Sequence, residues 1–142
     1  MTETMKQKIK AFAMDLGVDD VGFAAVSDYN SPSSPPLTAI FPGAKTLIVL
    51  AYREASHCES ENMRIAMTGR MAIMEFMATS SYKVSHFLER TCRAKGVMTP
   101  TSYPANISPE AKFGLIADIS HRHAAIAAGL MEERRAGPVL PP

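Results

Sequence analysis

The stretch that most constrains the fold is KTLIVLAY, residues 45–52. Its centre, LIVLA, is a continuous apolar run of strand length. A strand with one face in water alternates apolar and polar residues, whereas a strand covered on both faces is apolar throughout. The sequence therefore predicts a strand at the centre of a sheet that is covered on both sides.

Helix and strand patterns alternate around this run. "VGFAAV" predicts a second short strand, and "SDYNSPSSPP" predicts a loop, because proline removes backbone donors and Ser, Asn and Asp favour turns. Gly17 is the predicted stop of the first helix. That helix is indicated by apolar residues at helical spacing, namely Met5, Ile9, Phe12, Ala13 and Leu16.

Two further helices are predicted in the middle of the chain. The first carries a methionine stripe, which we expect to be buried in the core, with Gly69 as a weak point. The second begins at Ser80 or Ser81 and ends at Gly96. His86 is expected on its solvated face, and Cys92 is expected to be a small buried residue. The stripe consists of Met63, Met67, Met71, Met74 and Met77.

Strands alternating with helices indicate an α/β layered domain. The 142 residues suffice for one domain with a core and are too few for two. The net charge of +1 does not favour nucleic acid or a membrane surface. Two cysteines without a CxxC pattern fit a reducing, cytoplasmic setting, and the sequence predicts neither a membrane span nor an export signal.

The segment "ADISHRHAAIAAGL" contains the candidate site residues. Ser120 is the predicted N-cap of a short helix that ends at Gly129. His121 and His123 lie about 200° apart on that helix, so they cannot share one metal ion, and no metal site is predicted. The alanine run allows close approach of either another element of the fold or a flat cofactor. Asp118 could cap the helix, stabilise its positive end or donate a proton.

Common catalytic motifs do not decide between these alternatives. The chain has no GxGxxG, P-loop, HExxH or GxSxG pattern and no CxxCxxC run for an iron–sulfur cluster.

A family resemblance does bear on the alternatives. "LGVDDVGFAAV", "IFPGAKTLIVLAY", "SSYKVSHFLERTCRAKG" and "ADISHRHAAIAAGL" resemble the N-terminal half of the epoxyqueuosine reductase and reductive-dehalogenase-like corrinoid family. The resemblance implies a fold of the nitroreductase-like cobalamin-binder type, a layered mixed sheet with flanking helices. It also implies a bound cobalamin, with Asp118 as proton donor and Ser120, His121 and Gly129 near the cofactor.

The chain departs from the family after "AGL", where Met131 and Arg134 stand in place of expected glycines. The cluster cysteines of the family are not found in the sequence. We therefore expect residues 1–142 to form one corrinoid-reductase-like domain that lacks the ferredoxin-like domain and is either truncated or dependent on a separate ferredoxin-like electron donor. The alternative is a non-enzymatic, homo-oligomeric interaction or cofactor-handling domain. A nucleic-acid partner is not expected.

Overall fold

The computed structural model describes residues 1–32, 34–101, 106–107, 115–116 and 118–132. These residues form a mixed α/β structure with three α-helices and two small antiparallel sheets in the described part of the chain. The elements are α1 (Glu3–Asp15), β1 (Asp20–Ala25), β2 (Thr46–Ala51), α2 (Met63–Arg90), β3 (Asn106–Ile107), β4 (Leu115–Ile116) and α3 (His121–Ala127).

Helix α1 ends where its local sequence predicts, and Thr2 caps its start. The Thr2 hydroxyl accepts a hydrogen bond from the Met5 backbone N–H and caps the first turn. Gly17 follows the last turn at a φ of +100°, a left-handed conformation that favours glycine. The predicted stop of the first helix is therefore confirmed.

The main sheet consists of β1 and β2, which pair antiparallel from Asp20 opposite Ala51 to Ala25 opposite Thr46. Alternate side chains of these strands enter two separate apolar clusters. Phe23, Ile48 and Leu50 pack toward α1 and α2, whereas Leu47 and Val49 pack toward Ala124 of α3. Both faces of β2 are thus covered by helices, which explains the continuous apolar run.

The central position predicted for β2 is not found. Within the described residues β2 pairs with β1 alone, and all six of its residues are half-buried rather than buried. The coarse expectation of an α/β structure with helices beside a sheet is confirmed.

The larger core lies between α1, β1 and the C-terminal half of α2. The Phe12 and Phe87 rings stack there, with centroids 4.2 Å apart and planes inclined by 11°. The buried residues of this core are Ile9, Ala13, Val18, Val21, Val84 and Leu88. A smaller core on the opposite face of the sheet contains Leu37, Ile119 and Ala124.

Residues 63–90 form one continuous helix of 28 residues, so the prediction of two helices was wrong. Ser80 lies inside α2 and does not start a helix. Its hydroxyl donates to the Phe76 carbonyl at 2.6 Å and lies 2.5 Å from the Tyr52 hydroxyl. This satisfies the side chain without breaking the helix. The helix ends at Arg90 rather than at Gly96, and Arg93 just beyond it adopts a φ of +51°.

The predicted burial of the methionine stripe was also wrong. Four of its five members are exposed, with relative accessibilities of 77% for Met63, 51% for Met67, 60% for Met71 and 39% for Met74. The N-terminal half of α2 instead turns Ala66 and Gly69 inward, against the short turn Ser56–Glu59. His86 is exposed, as predicted, and Cys92 is half-buried rather than buried.

Much of the extended segment predicted for residues 96–110 lies outside the described residues, although β3 and β4 pair antiparallel within and after it. Despite the length of α2, no helix in the described ranges has an apolar stretch that could cross a bilayer.

Candidate functional site

The predicted N-cap of α3 is confirmed. The Ser120 hydroxyl accepts a hydrogen bond from the His123 backbone N–H at 3.4 Å and lies 2.7 Å from Nδ1 of the same histidine. The Ser120 backbone N–H donates to the Tyr29 hydroxyl at 2.9 Å, and Tyr29 is in turn hydrogen-bonded to Ser34 at 2.7 Å. This chain of polar contacts fixes the start of α3 to the loop that follows β1.

The four predicted site residues do not all lie together. Asp118, Ser120 and His121 share the turn that leads into α3, where Asp118 and Ser120 are half-buried and His121 is exposed. The N-cap position belongs to Ser120, two residues after Asp118. Gly129 lies just beyond the far end of the helix, about 13–14 Å along the axis from Ser120.

Gly129 has a backbone role at that end. It adopts a φ of +73°, and its N–H donates to the Ile126 carbonyl, while the N–H of Leu130 donates to the Ala125 carbonyl. This pair of hydrogen bonds is a Schellman motif, which closes the helix and favours glycine at this position.

The inward-facing small residues of α3 contact the sheet of the same chain. A Cβ atom added to Gly22 of β1 would lie 2.9 Å from the Cβ and the carbonyl oxygen of Ala128 and 2.8 Å from Leu130. Ala124 is buried in the smaller core. Of the two partners considered for the alanine run, another element of the fold therefore occupies its inner side.

This packing limits where a corrinoid could bind. Two shallow cavities, of about 240 and 210 Å³, run along the C-terminal half of α2, and neither is lined by α3. Among the described residues, β1 packs closely against the inner side of α3, where Gly22 meets Ala128 and Leu130. No group of three or more His, Cys, Asp or Glu residues converges in the described ranges.

Within the described residues, four exposed methionines of α2 form an apolar surface that was not predicted. We call Met63, Met67, Met71 and Met74 the methionine face. These side chains recur at intervals of four, four and three residues, so they lie on one side of the helix. Gly69, which contacts the Ser56–Glu59 turn, lies about 200° around the helix from Met67.

The sequence alone does not identify this face. The first half of α2 carries a methionine stripe and a small-residue stripe, and within the described residues only the small-residue stripe is packed. Ala66 and Gly69 permit the close contact: a Cβ atom on Gly69 would lie 2.5 Å from His57 Nε2 and 2.6 Å from Cys58 Sγ. The small-residue stripe is therefore the packed one, and the long methionine side chains point away from it.

Opposite charges flank the methionine face. Met67, Met71, Met74 and Ala78 follow the 4-3-4 spacing of a coiled-coil seam. Arg70 precedes Met71, and Glu75 follows Met74. Both are exposed, and neither forms an ion pair in the described part of the chain.

Comparison of the chain with protein families, with curated proteins and with solved structures found no match.

Proposed function

We propose that this chain is a self-associating interaction domain, in which the methionine faces of two copies pack against each other. The observation that carries the proposal is the exposure of four long apolar side chains in a row on one helix. A contiguous apolar surface that is exposed to water marks an interaction site. Methionine is also the apolar side chain that adapts most readily to a partner's shape.

Charge complementarity favours a second copy as the partner. Two copies of α2 could pair in parallel along the Met67–Ala78 seam. In such a pair, the residue just before Met71 of one helix faces the residue five places later on the other helix. That spacing brings Arg70 of each copy to Glu75 of its mate, so the twofold arrangement forms two identical ion pairs. The described contacts of this half of α2 lie on another side of the helix, where Ala66 and Gly69 pack against the Ser56–Glu59 turn.

Sedimentation equilibrium of the full chain tests the proposal. We expect the mass to rise from that of one 142-residue chain to that of two as the concentration increases. Met67→Glu together with Met71→Glu should abolish the increase, because charges placed in the seam would be buried without partners. The matched control is Met14→Glu, an exposed methionine on α1. A monomer at all concentrations up to about 1 mM, where binding is worth only about −4 kcal/mol, would overturn the proposal.

Cobalamin binding is a second candidate function. The same family resemblance implies the nitroreductase-like layered fold, so we propose the fold together with this function. Its support is the family resemblance and the grouping of Asp118, Ser120 and His121 on one turn. Because the inner side of α3 is packed on the sheet, a corrinoid would lie on the outer side of this turn. Cobalamin would supply redox chemistry when bound, and a ferredoxin-like partner would have to supply the electrons.

Titration with cob(II)alamin, followed by absorbance, tests this candidate. A saturable spectral change that is weakened by His121→Ala would support it. His86→Ala is the matched control, because His86 is also an exposed helix-face histidine. No spectral change near 100 µM protein, a concentration that corresponds to about −5.5 kcal/mol of binding, would exclude it.

A further inference from the structure

Three thioether sulfurs are carried on adjacent turns of one exposed helix face. Met67, Met71 and Met74 follow each other at intervals of four and three residues, and each is more than one-third exposed. At these spacings the Cβ atoms of a helix lie about 5–6 Å apart. The three rotatable bonds of each methionine let the sulfur atoms converge over the middle residue.

We propose that Met67, Met71 and Met74 form a binding site for a soft monovalent metal ion of the Cu(I) class. Thioether sulfur is a soft, neutral ligand and selects Cu(I), whereas Mg²⁺ and Ca²⁺ take oxygen ligands. Met63 lies one turn before Met67 on the same face and is available as a fourth ligand. Thioethers bind without losing a proton, unlike thiol and imidazolium ligands.

The charges beside the three sulfurs do not create this site. Glu75 lies one turn beyond Met71 and attracts a cation, whereas Arg64 and Arg70 each lie three residues from Met67 and repel it. The two arginines outnumber the glutamate. Selectivity therefore arises from the sulfur–metal bonds, and alkali ions, which form no such bonds, are not held.

The metal site uses side chains of the proposed dimer seam but does not depend on the dimer. Replacing the three methionines with leucine removes the sulfur atoms while it keeps apolar bulk and helix propensity. The triple variant M67L/M71L/M74L should therefore lose the metal site and retain self-association. Failure of the metal-site proposal can thus be distinguished from failure of the self-association proposal.

The first test is titration of the full chain, labelled with ¹³C at the methionine methyl groups, with Ag(I) as a redox-inert probe. The ten methionines give ten methyl signals, assigned by single Met→Leu variants. We expect the signals of Met67, Met71 and Met74 to shift together and to saturate at one Ag(I) beyond the amount that the Cys58 and Cys92 thiols bind. Unchanged signals, or shifts shared equally with Met14, Met98 and Met131, would overturn the proposal.

The second test is transfer of Cu(I) from a coloured chelator to the native chain and to two triple variants. M67L/M71L/M74L should take up one equivalent less than the native chain. The matched control M14L/M98L/M131L removes three exposed methionines that are scattered over the surface, and it should take up the native amount. Both variants keep Cys58 and Cys92, so metal bound by thiols is the same in each. Equal uptake by the two triple variants would overturn the proposal.

Discussion

Gly22 is a residue at which the end of α3 closely approaches the sheet. The atoms that a Cβ at this position would meet include the carbonyl oxygen of Ala128, which lies 2.9 Å away and belongs to the backbone. A flexible side chain could turn aside, but this backbone can move only if the end of α3 moves. The lack of a side chain at Gly22 therefore allows the end of α3 to pack this closely on β1.

We expect Gly22→Ala to lower the free energy of unfolding by about 1–3 kcal/mol, the usual cost of adding a methyl group to a packed interior. Urea denaturation followed by circular dichroism measures this change. Gly43→Ala is the control, because a Cβ there meets nothing within 4 Å, and its effect should stay within about 0.5 kcal/mol. Equal stabilities of the two variants would show that α3 does not pack on β1 as described.

At the scale of the element, α3 shows how few contacts hold a short helix in place. It has seven residues, too few for stability in isolation. Its start is held by the Ser120 side chain and the Tyr29 hydroxyl, and its end by the left-handed Gly129. Burial of Ala124 between these ends anchors it to the sheet.

Ser120→Ala should therefore cost about 0.5–2 kcal/mol of stability, since it removes the cap and leaves the first N–H groups of α3 without that acceptor. Thermal unfolding monitored by far-ultraviolet circular dichroism gives the measurement. Ser120→Asn should retain most of the stability, because asparagine caps helices as well as serine does. If both variants are equally destabilised, the hydroxyl contact with His123 matters more than the cap.

At the scale of the whole molecule, α2 belongs half to the core and half to the surface. Val84 and Leu88 in its second half are buried against α1 and β1, whereas its first half contacts the Ser56–Glu59 turn and exposes the methionine face. The proposed self-association would cover this apolar side, which no other described residue covers.

The register of that association can be tested by charge exchange. Arg70→Glu and Glu75→Arg should each weaken the dimer by roughly tenfold, about 1.4 kcal/mol, because each replaces two attractive contacts with two repulsive ones. The double variant R70E/E75R should restore the native dissociation constant, measured by sedimentation equilibrium at low salt. Additive weakening in the double variant would exclude the parallel pairing.

Local sequence determined the end of α1, the β1 and β2 strands and both ends of α3, because caps, left-handed glycines and apolar runs act within a few residues. It offered both Ser120 and Asp118 as caps of α3, and the fold gives the N-cap to Ser120. The burial of α2 could not be predicted in the same way. The methionine stripe and the stripe through Ala66 and Gly69 are both compatible with a core, and only the position of the Ser56–Glu59 turn decided which one is packed.

Tertiary structure likewise decided the partner of the alanine run. Small side chains in α3 permit close approach but do not specify what approaches, and here Gly22 of β1 occupies that space. Tertiary structure also decided that α2 continues through Ser80. Local sequence favours Ser80 as a helix cap, but in the fold its hydroxyl hydrogen-bonds to the Tyr52 hydroxyl and the Phe76 carbonyl. Sequence patterns depend on neighbours along the chain, whereas burial depends on neighbours in space, and only the folded chain brings the latter together.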